Sequence, residues 1–226
     1  MGLANPFKSK TNNALENVMY FAERCYAHPD KLEASLKLDD LRKVFLRKIQ
    51  ADQIALSYMS PIHSAPPEIF NFQLFGPALG KLVSEKKPET VAMKETLDLA
   101  QAGILPTPWK PTSMIANIGI YGLGYGRRPW LQQQGNHKIL WCPTFGIGIV
   151  HGGNHSLTAA VITNELTHFN IEESYDLSQL FDTYYFDGHA FKAKDNSKFV
   201  SIPEIMEFGI VYEISRMIHQ IKNAGE

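Results

Sequence analysis

Between Leu105 and Pro111 the chain reads LPTPWKP, with prolines at 106, 108 and 111. Each proline fixes its own φ, lacks an N–H donor and pushes the residue before it out of the helical region. No helix can run through this segment, so it must be extended. The pattern before it is helical and the pattern after it is not. This places a boundary between a helical region, residues 1–104, and an α/β region, residues 105–226. A chain of 226 residues can bury one sizeable core, so the two regions are expected to form one compact α+β unit.

Upstream of the boundary, Leu15, Val18, Met19, Ala22 and Cys25 recur at steps of three and four, which predicts an amphipathic helix from Asn12 to about Ala27. A second is predicted from Asp30 to Met59, carrying Leu38, Leu41, Phe45 and Ile49, and Ser60-Pro61 ends it. A short segment from Glu68 to Leu74 follows, and Gly76-Pro77 and Gly80 interrupt what comes next. Pro88 then opens a third long helix that runs to Ala102 and is closed by Gly103.

Downstream lies a glycine-rich stretch, Asn117 to Arg128. Lys138 to Val150 is β-branched, aromatic and glycine-containing, which reads as a strand pair or one bulged strand. A helix starts near Ser156, followed by a strand from Thr167 to Glu172, a short helix near Leu177 to Phe181 and a hairpin about Asp187-Gly188. The last helix, Pro203 to about Lys222, is apolar along Ile205, Phe208, Val211, Ile214, Met217 and Ile218.

With 22 basic and 23 acidic side chains and a formal charge of -1, no global field draws the protein to nucleic acid or an anionic membrane. The basic residues are spread, which leaves nucleic-acid contact open. Cys25 and Cys142 lie far apart in apolar surroundings, as suits reduced thiols rather than a disulfide framework. Neither a signal peptide nor a membrane-length apolar run is legible, so a cytoplasmic protein without membrane contact is expected.

The sequence feature richest in chemistry is Gly152-Gly153-Asn154-His155-Ser156. A strand feeding this turn and then a helix aims backbone N–H groups, and the positive end of the helix dipole, at whatever sits in front. Gly152 and Gly153 give room for close approach or positive φ, Asn154 and Ser156 offer hydrogen bonds, and His155 adds phosphate contact or proton transfer. The alternative is a tight strand-to-helix connection with an Asn or Ser cap.

The stretch Ile147 to Ala160, IGIVHGGNHSLTAA, resembles the strand-turn-helix of the ParB and sulfiredoxin superfamily, and Ile104 to Pro111 is similar to the proline-bearing lead-in of ParB-like domains. The alignment puts Gly153 on the family's glycine, His155 on the position that is His in sulfiredoxins, and Ser156 where the family has arginine. The resemblance implies a ParB/sulfiredoxin-like fold holding the phosphates of a nucleotide such as ATP or CTP, with Mg, on the turn. It further implies a nucleotide-dependent enzyme acting as a bacterial toxin or defence effector. Losing the arginine removes a bidentate phosphate partner. Either Arg127 or Arg128 replaces it from the glycine-rich loop, or those two form a solvated surface pair. The other reading is a non-catalytic module with a degenerate site and a protein partner on the N-terminal helices.

His137, His151, His155, His168 and His189 do not share a helix face, and no Cys pair or His-Glu motif accompanies them, so no metal site is expected. Glu165, Glu172, Glu173 and Asp187 are candidate partners for His155 in a proton transfer. Trp109, Trp130 and Trp141, with Tyr121 and Tyr125, are either a base-stacking wall or core.

Overall fold

The computed structural model describes residues 6–59, 71–85, 90–91, 96–97, 102–122, 126–163, 169–171 and 173–224. In chain order the elements are helices α1 (Pro6–Tyr26) and α2 (Lys31–Met59), a 3-10 turn (Asn71–Phe75), α3 (Pro77–Glu85), strands β1 (Thr90–Val91), β2 (Thr96–Leu97) and β3 (Gly103–Leu105), and α4 (Pro111–Asn117). Then come β4 (Lys138–Cys142), β5 (Ile147–Gly152), α5 (Asn154–Thr163), β6 (Phe169–Asn170), β7 (Glu173–Tyr175), α6 (Leu180–Thr183), β8 (Tyr184–Phe186), β9 (Phe191–Ala193), β10 (Phe199–Ser201) and α7 (Met206–Asn223). The protein is of the α+β class with a helical N-terminal region. No described helix is long and apolar enough to cross a membrane.

Two local expectations need correction. The helix expected from Pro88 to Ala102 is not formed: Thr90–Val91 and Thr96–Leu97 are strands, pairing antiparallel with β7 and β6. The β-branched Thr90, Val91 and Thr96 suit pleated pairing, and partners 72 to 85 residues away outweigh a weak local helical preference. Nor does Gly80 interrupt a helix. It is buried inside α3, where its N–H bonds to the Gly76 carbonyl, and Pro77 stands in the first turn, where its missing donor costs nothing.

The chain forms two compact units that interleave along the sequence, Met1–Phe45 with Gln73–Glu85 and Ser178–Glu226, and Leu46–Phe72 with Lys86–Leu177. This division does not follow the boundary at residue 104. Helix α2 contributes Lys31–Phe45 to the first unit and Leu46–Met59 to the second.

In the first unit, Ala22, Ala34 and Leu38 are buried with Ile214, Met217, Ile218 and Ile221 of α7. A second group is aromatic: Phe75 meets Phe208 edge to face at 4.9 Å and Phe191 meets Tyr212 at 5.0 Å. Complete burial of each such side chain contributes about 1.5–3 kcal/mol. The buried Tyr212 hydroxyl donates to the carbonyls of Leu180 and Tyr184, and buried Glu213 accepts the Phe186 N–H at 2.8 Å while pairing with Arg216.

The second unit is built on a mixed sheet in the order β1-β7-β4-β5-β3, with β4 antiparallel to β5 and β3 parallel to β5. Ile104, Ile139, Trp141 and Val150 join Leu157 and Ala160 of α5 and Phe169 in its core. Gly148 leaves the space that Ile104 and Ile139 fill, since a Cβ there would lie 2.7 Å from each. Leu46 of α2 lies over Gly103, and Gln50 donates to the Ile104 carbonyl at 2.7 Å.

Candidate functional site

Strand β5 runs through Gly153 into α5, as the sequence pattern predicts, and two other segments, residues 107–110 and 133–137, meet this turn. Gly153 has φ +72°, and its carbonyl accepts the Leu157 N–H at 2.9 Å to start the helix. A Cβ on Gly152 would lie 2.3 Å from the Asn136 carbonyl oxygen, and one on Gly153 would lie 2.1 Å from His137 Cδ2. The two glycines are therefore required by the close approach of residues 136 and 137.

The polar side chains of the turn tie it to neighbouring segments. Asn154 Oδ1 accepts the Thr107 N–H at 2.7 Å, which anchors the proline-rich lead-in. His155 Nε2 accepts the Lys110 N–H at 3.0 Å, just ahead of α4, and Trp109 stands edge to face with the ring at 5.7 Å. An accepting Nε2 carries no proton, so His155 is neutral with its proton on Nδ1. Burial and the Lys110 charge both hold its pKa below the usual value.

Ser156 bonds to a residue that sequence reasoning had not connected with it. His137 Nε2 lies 2.6 Å from Ser156 Oγ, and His137 Nδ1 accepts the Gln133 N–H at 2.9 Å. Because Nδ1 accepts, Nε2 carries the proton and donates it to the serine. Burial lowers the His137 pKa, in keeping with a neutral ring. Trp130 stacks on His137 at 4.8 Å, and its own Nε1 is buried with no hydrogen-bond partner among the described residues.

The two arginines are not brought to the turn. The Arg128 guanidinium lies over the Tyr121 ring at 5.3 Å. Arg127 lies against Gly122, close to Thr163 at the far end of α5. Nine residues of helix separate Thr163 from Asn154, roughly 13 Å. Of the proton-transfer candidates, Asp187 accepts the N–H groups of His189 and Ala190 and pairs with Lys192 in its own hairpin. Glu165, Glu172, His168 and Tyr125, like the Glu173 side chain, lie outside the described residues. Trp130 and Trp141 are core, and Trp109 is half exposed.

A pocket of about 230 Å³ opens beside the turn, lined by His137, Lys138, Ile139, Leu140, His151, Phe169 and Asn170. An irregularity in the β4–β5 ladder lies among these lining residues. Lys138 pairs with Gly152, whereas Ile139 pairs with Val150, so His151 is an extra residue on β5. Such a β-bulge bends the strand and re-aims side chains. Lys138 and His151 are exposed at the pocket, and burial lowers the His151 pKa. Among the described residues, neither the Lys138 ammonium nor the His151 ring has a hydrogen-bond or ion-pair partner.

Lys138, Phe169 and Asn170 were missed as site residues. One signal was legible: a hairpin turning at Pro143 to Gly146 sets Lys138 opposite the residues just before Gly153.

Residues 5–224 match the model of the family of unknown function DUF6710, and the chain belongs to that family. No curated protein and no solved structure matches it.

Proposed function

We propose that this member of DUF6710 binds a small phosphate-bearing compound in the pocket beside the 152–156 turn. The observation that carries the reading is that Lys138 and His151, two nitrogen groups without partners among the described residues, line one concave site. No carboxylate is among the described lining residues, and the Lys138 charge attracts an anion there. Ile139, Leu140 and Phe169 offer an apolar wall for the rest of the ligand. Pockets that enclose drug-sized ligands span about 300–1,000 Å³. A volume of 230 Å³ therefore suits a phosphoryl group with a small body, or the phosphate end of a nucleotide whose base stays outside.

The order of β5, glycine turn and α5, with α4 following the proline lead-in, accords with a ParB/sulfiredoxin-like arrangement. The phosphate position differs from the one that resemblance implies. Asn154, His155 and Ser156 are engaged within the protein, and neither Arg127 nor Arg128 reaches them, so the ligand sits at the bulged end of β5 rather than on the turn itself. The reading is one of binding. The His137–Ser156 pair has its proton directed at the serine, opposite to what a nucleophile and base require.

Calorimetry and thermal shift with inorganic phosphate, a triose phosphate, ATP and CTP, with and without Mg, test this. Stabilisation by the small phosphates that is lost in Lys138→Gln supports the reading. No response to any of them sinks it.

A second reading, a protein-interaction module, is favoured by apolar side chains left exposed on the N-terminal helices. Tyr20 and Phe21 of α1 are 58% and 61% exposed, and Leu32 and Leu36 of α2 are 71% and 57% exposed. Leu32 and Leu36 are one turn apart and share a face. A partner recovered by the wild type and lost by Leu32→Asp with Leu36→Asp, at unchanged stability, would support this reading.

A further inference from the structure

We infer that Lys138 and His151, which line one pocket at the β-bulge, make it selective for a doubly charged phosphoryl or sulfuryl group, which it takes up together with one proton on His151. The inference rests on the anion-binding reading given above and specifies how that site recognises charge.

In an antiparallel pair, residues directly opposite one another share a face, and the four pairs from Ile139–Val150 to Cys142–Ile147 bring Lys138 and the residues that follow Val150 to the same end of the ladder. The register shift inserts one extra residue into β5 at that end. Lys138 pairs with Gly152 and the next pair is Ile139 with Val150, leaving His151 opposite the same step of β4 that carries Lys138. Both residues then line one pocket. Lys138 supplies a fixed positive charge. His151 supplies a second charge only when protonated, and the partly desolvated ring is neutral near pH 7.

A ligand with two negative charges changes that balance. One charge faces the ammonium, and the second favours protonation of the imidazole, which then donates to the anion. A singly charged ligand is matched by Lys138 alone and gains little from the proton. Among the described lining residues the third titratable group is His137. Its Nδ1 already accepts the Gln133 N–H and its Nε2–H is donated to Ser156, so protonating it would break a bond within the protein. The lining residues from β6, Phe169 and Asn170, carry no charge.

The test uses sulfate, which stays doubly charged across the working range, whereas a phosphate monoester titrates near pH 6. Sulfate affinity of the full chain is measured by calorimetry between about pH 8 and pH 5.5, in buffers of different ionisation enthalpy. The expected result is an affinity that rises by up to about tenfold per pH unit through the lower half of the range, with proton uptake from buffer. In His151→Gln the pH dependence and the uptake disappear while weak binding remains, and in Lys138→Gln binding weakens at every pH. Wild-type binding of sulfate that is independent of pH, or pH-dependent binding that survives in His151→Gln, overturns the proton-coupled site and leaves the anion reading standing. Failure of sulfate and phosphate to bind at any pH overturns both, as does binding unchanged in the double variant.

Discussion

His137 donates its Nε2–H to Ser156 Oγ across 2.6 Å while its Nδ1 accepts the Gln133 N–H at 2.9 Å. The imidazole thus clamps residues 133–137 to the first turn of α5 and fixes its own tautomer in doing so. Serine and histidine at this distance suggest a nucleophile and its base, but the direction of the proton makes them a structural pair.

Ser156→Ala should therefore leave a buried imidazole N–H without an acceptor and destabilise the protein by roughly 1–3 kcal/mol, read from urea unfolding. Nitrogen chemical shifts of His137 should show Nε2 protonated. A ring protonated on Nδ1 instead would contradict the clamp.

Acidification should loosen the turn before any carboxylate titrates. Burial lowers the pKa values of His137, His151 and His155 below the usual 6.5. The unfolded chain consequently takes up protons first as the pH falls below 6.5, and stability that is complete above that value is lost as the pH approaches the lowered native values. Asp39 and Asp187, lowered from 3.8, contribute only nearer that range. A melting temperature that does not fall between pH 7 and about pH 5 would refute the sign. In His155→Gln, which can still accept the Lys110 N–H, the slope should shrink.

Gly153→Ala should be far more damaging than Gly126→Ala. Both positions have positive φ, +72° and +79°, but a Cβ at Gly126 meets nothing within 4 Å, whereas at Gly153 it strikes His137. The left-handed backbone alone costs about 1–2 kcal/mol. The clash adds about 1–3 kcal/mol. Similar losses in the two variants, measured by chemical denaturation, would mean that His137 does not cover the turn.

Gly209 offers a case where the usual sign reverses. In an exposed helix, replacing glycine by alanine gains up to about 1 kcal/mol. Within α7 a Cβ at Gly209 would lie 2.5 Å from the Phe186 ring. Gly209→Ala should lower stability, and Gly209→Ala with Phe186→Leu should recover part of the loss.

The elements most legible in the sequence were those whose signal is local. Helices α1 and α7 followed from one apolar stripe each, and β5, the turn and α5 followed from an apolar run, two glycines and an alanine-bearing helix. The hairpin about Asp187-Gly188 was legible for the same reason, with Asp187 bonding to the backbone within three residues. What was not legible depends on distant partners. Thr90, Val91, Thr96 and Leu97 sit in a window that reads as helix until β6 and β7 are there to pair with it. His137 is 19 residues from Ser156, and nothing local marks one as the partner of the other. The bulge at His151 is a one-residue slip in the β4–β5 ladder, and composition carries no trace of it.

The first compact unit closes only when α7 joins α1, and the two lie at opposite ends of the chain. During synthesis at about 5–20 residues per second, the apolar face of α1 therefore waits roughly 10–40 s for its partner. Throughout that time Val18, Met19 and Ala22 are exposed on a nascent chain whose middle can already pair its strands. The order in which the ribosome delivers the pieces, rather than the strength of any one contact, sets how long this apolar face goes without its partner.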